Sequence, residues 1–302
     1  QSLLKANFET KELTFKKMKV SFDRVFGCDG SGSVLRDEII NNTKAKFTQK
    51  PLGHGYKELS IPASKANEFQ INKNALHIWP RGDFMMIALP NLDKTFTATL
   101  FMPMNGKISF DTIKTQKQIE NFFKNYFIDA LELIPNFLEQ FNKSPVGSLA
   151  TNYCSQWHYK DVAVIFGDAA HAVVPFFGQG MNASFQDCAV LNSLINDYGE
   201  NWEKIFNNFS SKQVKNGYAI ADMALENYIE MRDSVNDTSY LKRRELELNL
   251  EKKFPNKFIP RYSMVSFHQI PYEQVYRRGE IQFKLMSDFL SKKINQRDLY
   301  KK

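Results

Sequence analysis

The stretch Val162–Asn182, VAVIFGDAAHAVVPFFGQGMN, constrains this chain more than any other. A short, uninterrupted apolar run from Val162 to Phe166 is the length of a buried strand and stops at Gly167-Asp168. After a second glycine pair, Gly178 and Gly180, apolar residues recur with helical spacing at Phe185, Cys188, Leu191 and Leu194. Strand, loop and helix in that order predict one unit of an α/β layer, with its loop at the sheet edge where such layers bind ligands. Gly167 lets another molecule's backbone approach, and the Asp168 carboxylate can accept from a sugar-type hydroxyl. The helix after Gly180 begins with unpaired N–H groups and the positive end of its dipole. Taken alone, a glycine-rich loop ahead of an ordinary helix remains the plain alternative.

A second strand-like run, Arg24–Gly27, ends in Cys28-Asp29-Gly30-Ser31-Gly32-Ser33-Val34-Leu35-Arg36. It offers the same arrangement, a carboxylate and a flexible turn at a strand's C-terminal end. An ordinary Asp-Gly turn is the competing reading. His171 stands alone in an Ala-rich turn, where a hydrogen-bonded structural histidine is the expected role rather than a general base.

Bulk properties narrow the classes. With 302 residues, 43% hydrophobic and 26 Phe, the chain can build a large core. The net charge is +7, but Lys and Arg are interleaved with acids and no nucleic-acid motif is present, so no nucleic-acid partner is expected. Cys28, Cys154 and Cys188 have no paired spacing, and the five histidines form no metal-ligand cluster, so no metal is expected. No apolar run is long enough to span a membrane.

Along the chain, residues 2–8 and 12–22 read as short extended runs. Tyr56–Ile61, Ala75–Trp79, Phe84–Leu89 and Phe96–Phe101 are strand-like and separated by Pro or polar turns, which predicts an antiparallel meander. Ile119, Phe122, Phe123, Tyr126 and Phe127 have amphipathic helical spacing, with Pro135 expected to stop that helix. Beyond residue 202 the period is helical. The last stretch, from Tyr276 to Lys302, interleaves Arg277, Arg278, Lys284, Lys292, Lys293, Arg297, Lys301 and Lys302 with apolar residues. A solvated terminal helix and contact with an anionic membrane surface both fit it. The expected division is residues 1–40 and 156–200 for the ligand-binding α/β layer, 41–155 for an inserted sheet domain and 201–302 for C-terminal helices.

Two motifs, GCDGSGSVLR and GDAAHAVVPFFGQGMNAS, resemble the Asp-Gly and Gly-Asp motifs of FAD-dependent aromatic hydroxylases. HGYKELSIP (54–62), LHIWPRGDFMMIALPN (76–91), TLFMP (99–103), ENYIEMR (226–232) and FIPRYSMVSF (258–267) are similar to the kynurenine 3-monooxygenase branch of that family. The resemblance runs in order across nearly the whole chain. It implies an α/β fold: a Rossmann-like FAD-binding layer, incomplete here, with an inserted mixed β-sheet substrate domain and C-terminal helices, like para-hydroxybenzoate hydroxylase.

Carried over by position, the resemblance implies FAD contacts at Asp168 and at Gly180, Met181 and Asn182 through the backbone. Asp29 and Val34 would line the same cleft, Val34 through its backbone only. Asn227 and Tyr262 would bind a substrate's amino-acid group. Leu76, Met85, Leu89, Phe101, Pro175, Phe176 and Gln179 would surround its ring, with Gln179 meeting a carbonyl or amino group. The implied reaction is hydroxylation of L-kynurenine with NADPH and O2, through a C4a-hydroperoxyflavin. The flavin carries the chemistry, so no catalytic side chain is expected. The family opens with a GxGxxG strand-turn-helix absent from these residues, which implies a longer protein and weak FAD binding by this stretch by itself. The family's place is the cytosolic face of the mitochondrial outer membrane. A hydroxylase acting on a phenolic acid, and a non-catalytic flavin-fold protein, are the alternatives.

Overall fold

The computed structural model describes residues 3–233 and 237–301. In chain order the elements begin with β1 (Leu3–Asn7), β2 (Glu12–Phe15), β3 (Lys19–Ser21), β4 (Val25–Gly27), α1 (Val34–Asn42) and β5 (Phe47–Ile61). Strands β6 (His77–Pro80), β7 (Met85–Pro90) and β8 (Phe96–Pro103) follow, then helices α2 (Gln116–Tyr126), α3 (Ile128–Leu131) and α4 (Phe137–Lys143). Next come β9 (Gly147–Cys154), β10 (His158–Tyr159), β11 (Ala163–Ile165), α5 (Asp168–His171), a 3-10 turn at Pro175–Phe177 and α6 (Gly180–Tyr198). Helices α7 (Trp202–Asp233), α8 (Thr238–Lys253), α9 (Arg261–Phe267), α10 (Tyr272–Leu290) and α11 (Gln296–Lys301) complete the chain. Gln1, Ser2 and Lys302, the last a member of the basic stretch, lie outside the described residues.

The chain divides into two units. One gathers the chain up to Lys50, Ala150–Asn227 and the part from Thr238 onward; the other holds Pro51–Leu149 and the stretch beginning at Tyr228. The sheet unit thus starts at residue 51 and ends at 149, narrower than the expected 41–155. Residues 156–200 and most of the C-terminal helices share one unit with the N-terminal strands.

In the first unit, β4 and β11 pair in parallel, with Ile165 opposite Gly27. The Asp-Gly and Gly-Asp loops therefore leave the same edge side by side, and the Phe166 N–H donates to Gly27 O at 3.0 Å. Gly27 is required by packing: a Cβ there would lie 2.8 Å from Ile165 Cγ2 and 2.9 Å from Leu35 Cδ1. The core below this edge is built from Val164, Ile165, Leu191, Leu194, Ile205, Phe206 and Phe209 around the fully buried Trp157. Burial of these large apolar side chains is what holds the layer to α6 and α7.

In the second unit the described pairings β6–β7, β7–β8 and β8–β5 are all antiparallel, so β6–β8 form the expected meander and β5 joins it from the far side. Alternation sorts the side chains between faces. Met86, Ala88, Ala98, Leu100 and Met102 pack with Phe122, Phe123, Phe127 and Phe141 of the helices. The amphipathic helix α2 starts with a capping box, Thr115 with Gln118. It ends at Phe127, whose N–H donates to Phe123 O at 2.8 Å, well before Pro135. Phe127 leaves helical geometry to drive its ring into the core, and the chain bends there.

Gly217 sits inside α7, where glycine ordinarily costs about 1 kcal/mol relative to alanine. Here a Cβ would lie 2.8 Å from Trp157 Cζ2 and 3.1 Å from His171 Cβ. Trp157 cannot retreat, because its ring is fully buried and stacked on His171 at 5.0 Å. Gly217→Ala is therefore expected to destabilise the protein by about 1–2 kcal/mol, overpacking outweighing helix propensity. Urea denaturation measures it, and a gain in stability would show that the Trp157 layer yields.

Candidate functional site

The site is built at the C-terminal edge of β4 and β11. Asp29 follows β4, and both its oxygens serve the start of α1. Oδ1 accepts from the Ser33 hydroxyl at 2.6 Å, while Oδ2 accepts from the Val34 N–H at 2.8 Å and the Leu35 N–H at 3.3 Å. Asp29 and Val34, expected to line a cofactor cleft, thus stand where the glycine loop meets the start of α1. Ser33 is the N-cap of α1, its hydroxyl accepting from the Arg36 N–H at 2.9 Å, and Asp29 braces that cap from the preceding loop. Gly30, at φ +82°, and Gly32 have nothing within 4 Å of an added Cβ, so this loop leaves open space beside it.

Arg36, 4% exposed, joins the two loops. Its guanidinium donates to Ser31 O at 2.7 Å and to Ala169 O at 3.2 Å, and lies 4.0 Å over the Phe47 ring. The sequence shows Arg36 at the end of its motif, but its partner Ala169 is 133 residues away.

The Gly-Asp turn rests on a side chain that sequence reading missed. Asp187, on α6 and 2% exposed, accepts from the Gly167 N–H at 2.9 Å and from Gln213 Nε2 at 2.7 Å. Its Oδ2 is also 2.6 Å from His171 Nε2. His171 is thus a structural histidine, as expected, held by Asp187 and stacked on Trp157. Gly167 has φ +60°, a left-handed conformation that favours glycine, and the Asp187 carboxylate fixes it there. Asp168 is turned outward as a result. It is exposed and has no hydrogen bond or ion pair with any described residue.

The turn Pro175–Phe177 ends at Gly178, φ +64°, and Gln179 precedes α6. No side chain caps α6, and its first turn carries no acid. Ala183 is the first residue to donate back, to Gln179 O at 2.8 Å, which leaves the N–H groups of Gly180, Met181 and Asn182 without an intrahelical acceptor. Met181 is 69% exposed. An exposed, unpartnered carboxylate, an open glycine loop and an uncapped helix start fit a bound dinucleotide: Asp168 suits a sugar hydroxyl, and the α6 N-terminus suits an electron-rich ring.

The residues expected around a substrate fall on both units. In the first, Asn227 Nδ2 donates to Phe176 O at 2.7 Å and the Tyr262 ring stacks on Phe177 at 5.5 Å. Asn227, Tyr262, Pro175 and Phe176 therefore meet at one turn. Gln179 is 7% exposed, and its carbonyl oxygen already accepts from Tyr272 Oη at 3.0 Å and Asn182 Nδ2 at 3.2 Å. Its amide nitrogen is the group left to serve a ligand, which fits the carbonyl of the two partners expected for it. Burial, with a smaller effect of nearby Asp187, pushes the Tyr272 phenol up to about 12, so it stays a donor at neutral pH. In the second unit, Met85 opposes Phe101 across β7–β8, and both are buried on the face opposite the helix-packed one. Leu89 shares their face at the β7 end and is half exposed. Leu76, one residue before β6, is also exposed.

One ion pair adjoins both Asn227 and Tyr262. Arg261 Nη1 lies 2.6 Å from Glu226 Oε2 and 3.7 Å from Glu280 Oε1, linking α7, α9 and α10. The arginine stem crosses Gly279, where a Cβ would fall 2.4 Å from Arg261 Cδ.

Asp187→Leu is expected to orphan three donors and to lower unfolding free energy by about 3 kcal/mol or more, at about 1–3 kcal/mol per buried unsatisfied group. Asp187→Asn should lose less. Equal stability of both variants and the native chain would mean the carboxylate does not hold the turn.

Comparison with known proteins agrees with this geometry. Residues 6–198 match the FAD binding domain family. Kynurenine 3-monooxygenase of Myxococcus xanthus is 47% identical over 87% of this chain and 57% of its own length. The enzyme of Dictyostelium discoideum is 43% identical over 84% of this chain and 58% of its own length, and that of Anopheles gambiae is 44% identical over 89% and 55%. The chain thus spans less than two thirds of the length of the curated relatives it matches. In fold it is similar to an arginine-to-glutamine variant of Klebsiella pneumoniae HpxO complexed with FAD, with a TM-score of 0.61 at 14% identity over 81% of this chain and 62% of that one. A match across most of the chain that includes both loops of the β4–β11 edge leaves one assignment: the chain belongs to the FAD binding domain family, with kynurenine 3-monooxygenases as sequence relatives.

Proposed function

We propose that the protein containing this chain is an FAD-dependent monooxygenase that hydroxylates L-kynurenine at ring carbon 3, consuming NADPH, a proton and O2 and releasing NADP+ and water. The observation that carries this reading is the turn at Pro175–Phe177. It leads directly into the uncapped start of α6, and both Asn227 and Tyr262 are attached to it. One short segment thereby serves the cofactor on one side and an amino-acid substrate on the other. FAD, when bound, supplies the redox chemistry, accepting hydride from NADPH and activating O2.

The chain's own residues bind and orient. Asp168 would hold a hydroxyl of the cofactor's sugar or ribityl chain, and the N–H groups of Gly180, Met181 and Asn182 would face the flavin's electron-rich edge. An amide at Asn227 and a phenol at Tyr262 give a donor and acceptors for a carboxylate and an ammonium group. Met85, Leu89 and Phe101 give an apolar sheet face suited to an aromatic ring. The aniline nitrogen of kynurenine enriches its ortho carbon in electrons, so the transfer needs no side-chain base. The Glu226–Arg261 pair would keep Asn227 and Tyr262 in register.

The location implied by resemblance, the cytosolic face of the mitochondrial outer membrane, stays part of this proposal, as does membrane contact through the basic stretch. Among the described residues no helix is long and apolar enough to cross a membrane. A bacterial relative at 47% identity means that sequence similarity by itself does not dictate that location.

The decisive assay uses the complete gene product purified with FAD. NADPH oxidation should be slow alone and accelerate on adding L-kynurenine, with 3-hydroxykynurenine identified by mass and retention time. Bound FAD with no response to kynurenine would overturn the substrate assignment and leave the fold standing. Tyr262→Phe should raise KM for kynurenine about 10- to 100-fold, the loss of one hydrogen bond to a charged group. Glu226→Gln should raise KM more than it lowers kcat while FAD is retained; an unchanged KM would remove the pair from any positioning role.

A further inference from the structure

The C-terminal helices enclose a cavity of about 280 Å3 that the reaction does not use. Leu250 and Phe254 of α8, Leu285 and Met286 of α10, Leu299 of α11 and Phe258 form its apolar walls. On α10, Arg278, Gln282, Leu285 and Met286 follow one another at helical spacing, so a single helix face supplies both a cation and the apolar floor.

The charge at this cavity is one-sided. Only two charged residues line it, Lys257 and Arg278, and no carboxylate does. Both are exposed and so mark its open side. Neither has an ion pair with any described residue. On α10 the neighbouring Arg277 is instead paired with Glu273. A third cation, Lys253 Nζ, sits 4.2 Å over the ring of Tyr300, another wall residue. The amide nitrogen of Gln282 is held by Ile259 O at 3.0 Å, which keeps its side chain in place at the wall.

We propose that this cavity is a binding site for an anionic amphiphile, a straight-chain monocarboxylate whose hydrocarbon tail fills the apolar space while its carboxylate meets Lys257 and Arg278. A cavity of about 280 Å3 has room for a hydrocarbon tail and not only for a short acid, and octanoate is the probe of choice. Apolar lining drives entry of the tail. Two unpaired cations at the mouth select a carboxylate over an alcohol of equal length. The site is independent of the flavin reaction, and its test needs no turnover.

The experiment is calorimetric titration of the complete gene product with sodium octanoate, with 1-octanol as the uncharged control. Saturable one-to-one binding of octanoate is expected. The double charge reversal Lys257→Glu/Arg278→Glu, at exposed positions, should weaken octanoate about tenfold or more and leave octanol within about twofold. Leu285→Trp, which fills the cavity, should abolish binding of both. Absence of saturable octanoate binding would overturn the proposal, as would octanoate affinity unchanged by charge reversal, or octanol bound as tightly as octanoate. If Leu285→Trp fails to fold, the charge-reversed protein still decides.

Discussion

The buried carboxylate of Asp187 is the interaction on which the rest of the site depends. A carboxylate taken out of water is tolerated only when its oxygens are satisfied. Here they are, by the Gly167 N–H, by Gln213 and by His171. Those three partners come from the loop after β11, from α7 and from α5, so one side chain registers the loop against two helices. The Gly167 N–H, in a backbone of positive φ, is thereby held, and the next residue, Asp168, is exposed. The polar network under the site creates the exposed carboxylate above it.

Steric constraints complete what that network begins. Trp157 stacks on His171 and needs the missing side chain of Gly217 on α7. Gly27 allows β4, β11 and α1 to approach within the space of a Cβ, and Arg36 then reaches from α1 to the carbonyl of Ala169. The two loops are tied to each other by a side chain as well as by the parallel strand pair beneath them. The groups left open at this edge are the first N–H groups of α6 and the Asp168 carboxylate, which suits the proposed role of holding a cofactor that carries the chemistry.

Much of this was legible in the sequence where the determining contacts are local. The strand-loop-helix around Gly167 and Gly180, the sheet runs from residue 56 to 101 and the helical C-terminal third all follow from periodicity and turn residues over short windows. The structural role of His171 was also readable, as a lone histidine in a tight turn. What escaped is long-range. Asp187 lies 20 residues from Gly167 and 26 from Gln213, and no local pattern marks it. The bond from Tyr272 to Gln179 spans 93 residues and has no local signal either. The bonds of Asp29 are a different case. Its partners are only four to six residues on, and Asp followed by Ser33 and a helical run is a capping pattern that the sequence does contain.

That distinction bears on how such a site tolerates change. On the proposed reading, the groups that would touch the cofactor are partly backbone, and backbone N–H groups survive most side-chain substitutions at their own position. The vulnerable positions are those that hold the backbone in place: Asp187 under the Gly-Asp turn, Arg36 between the loops, Asn227 on the carbonyl of Phe176. Met181 shows the converse. Its side chain is largely exposed, and its implied contact is through its N–H, so a different side chain could occupy that position while the α6 N-terminus kept its function. On the proposed reading, function is therefore sensitive to buried polar side chains such as Asp187 and Arg36, which hold the backbone without meeting a ligand. An account of the site confined to ligand-contacting residues would omit the interactions that position them.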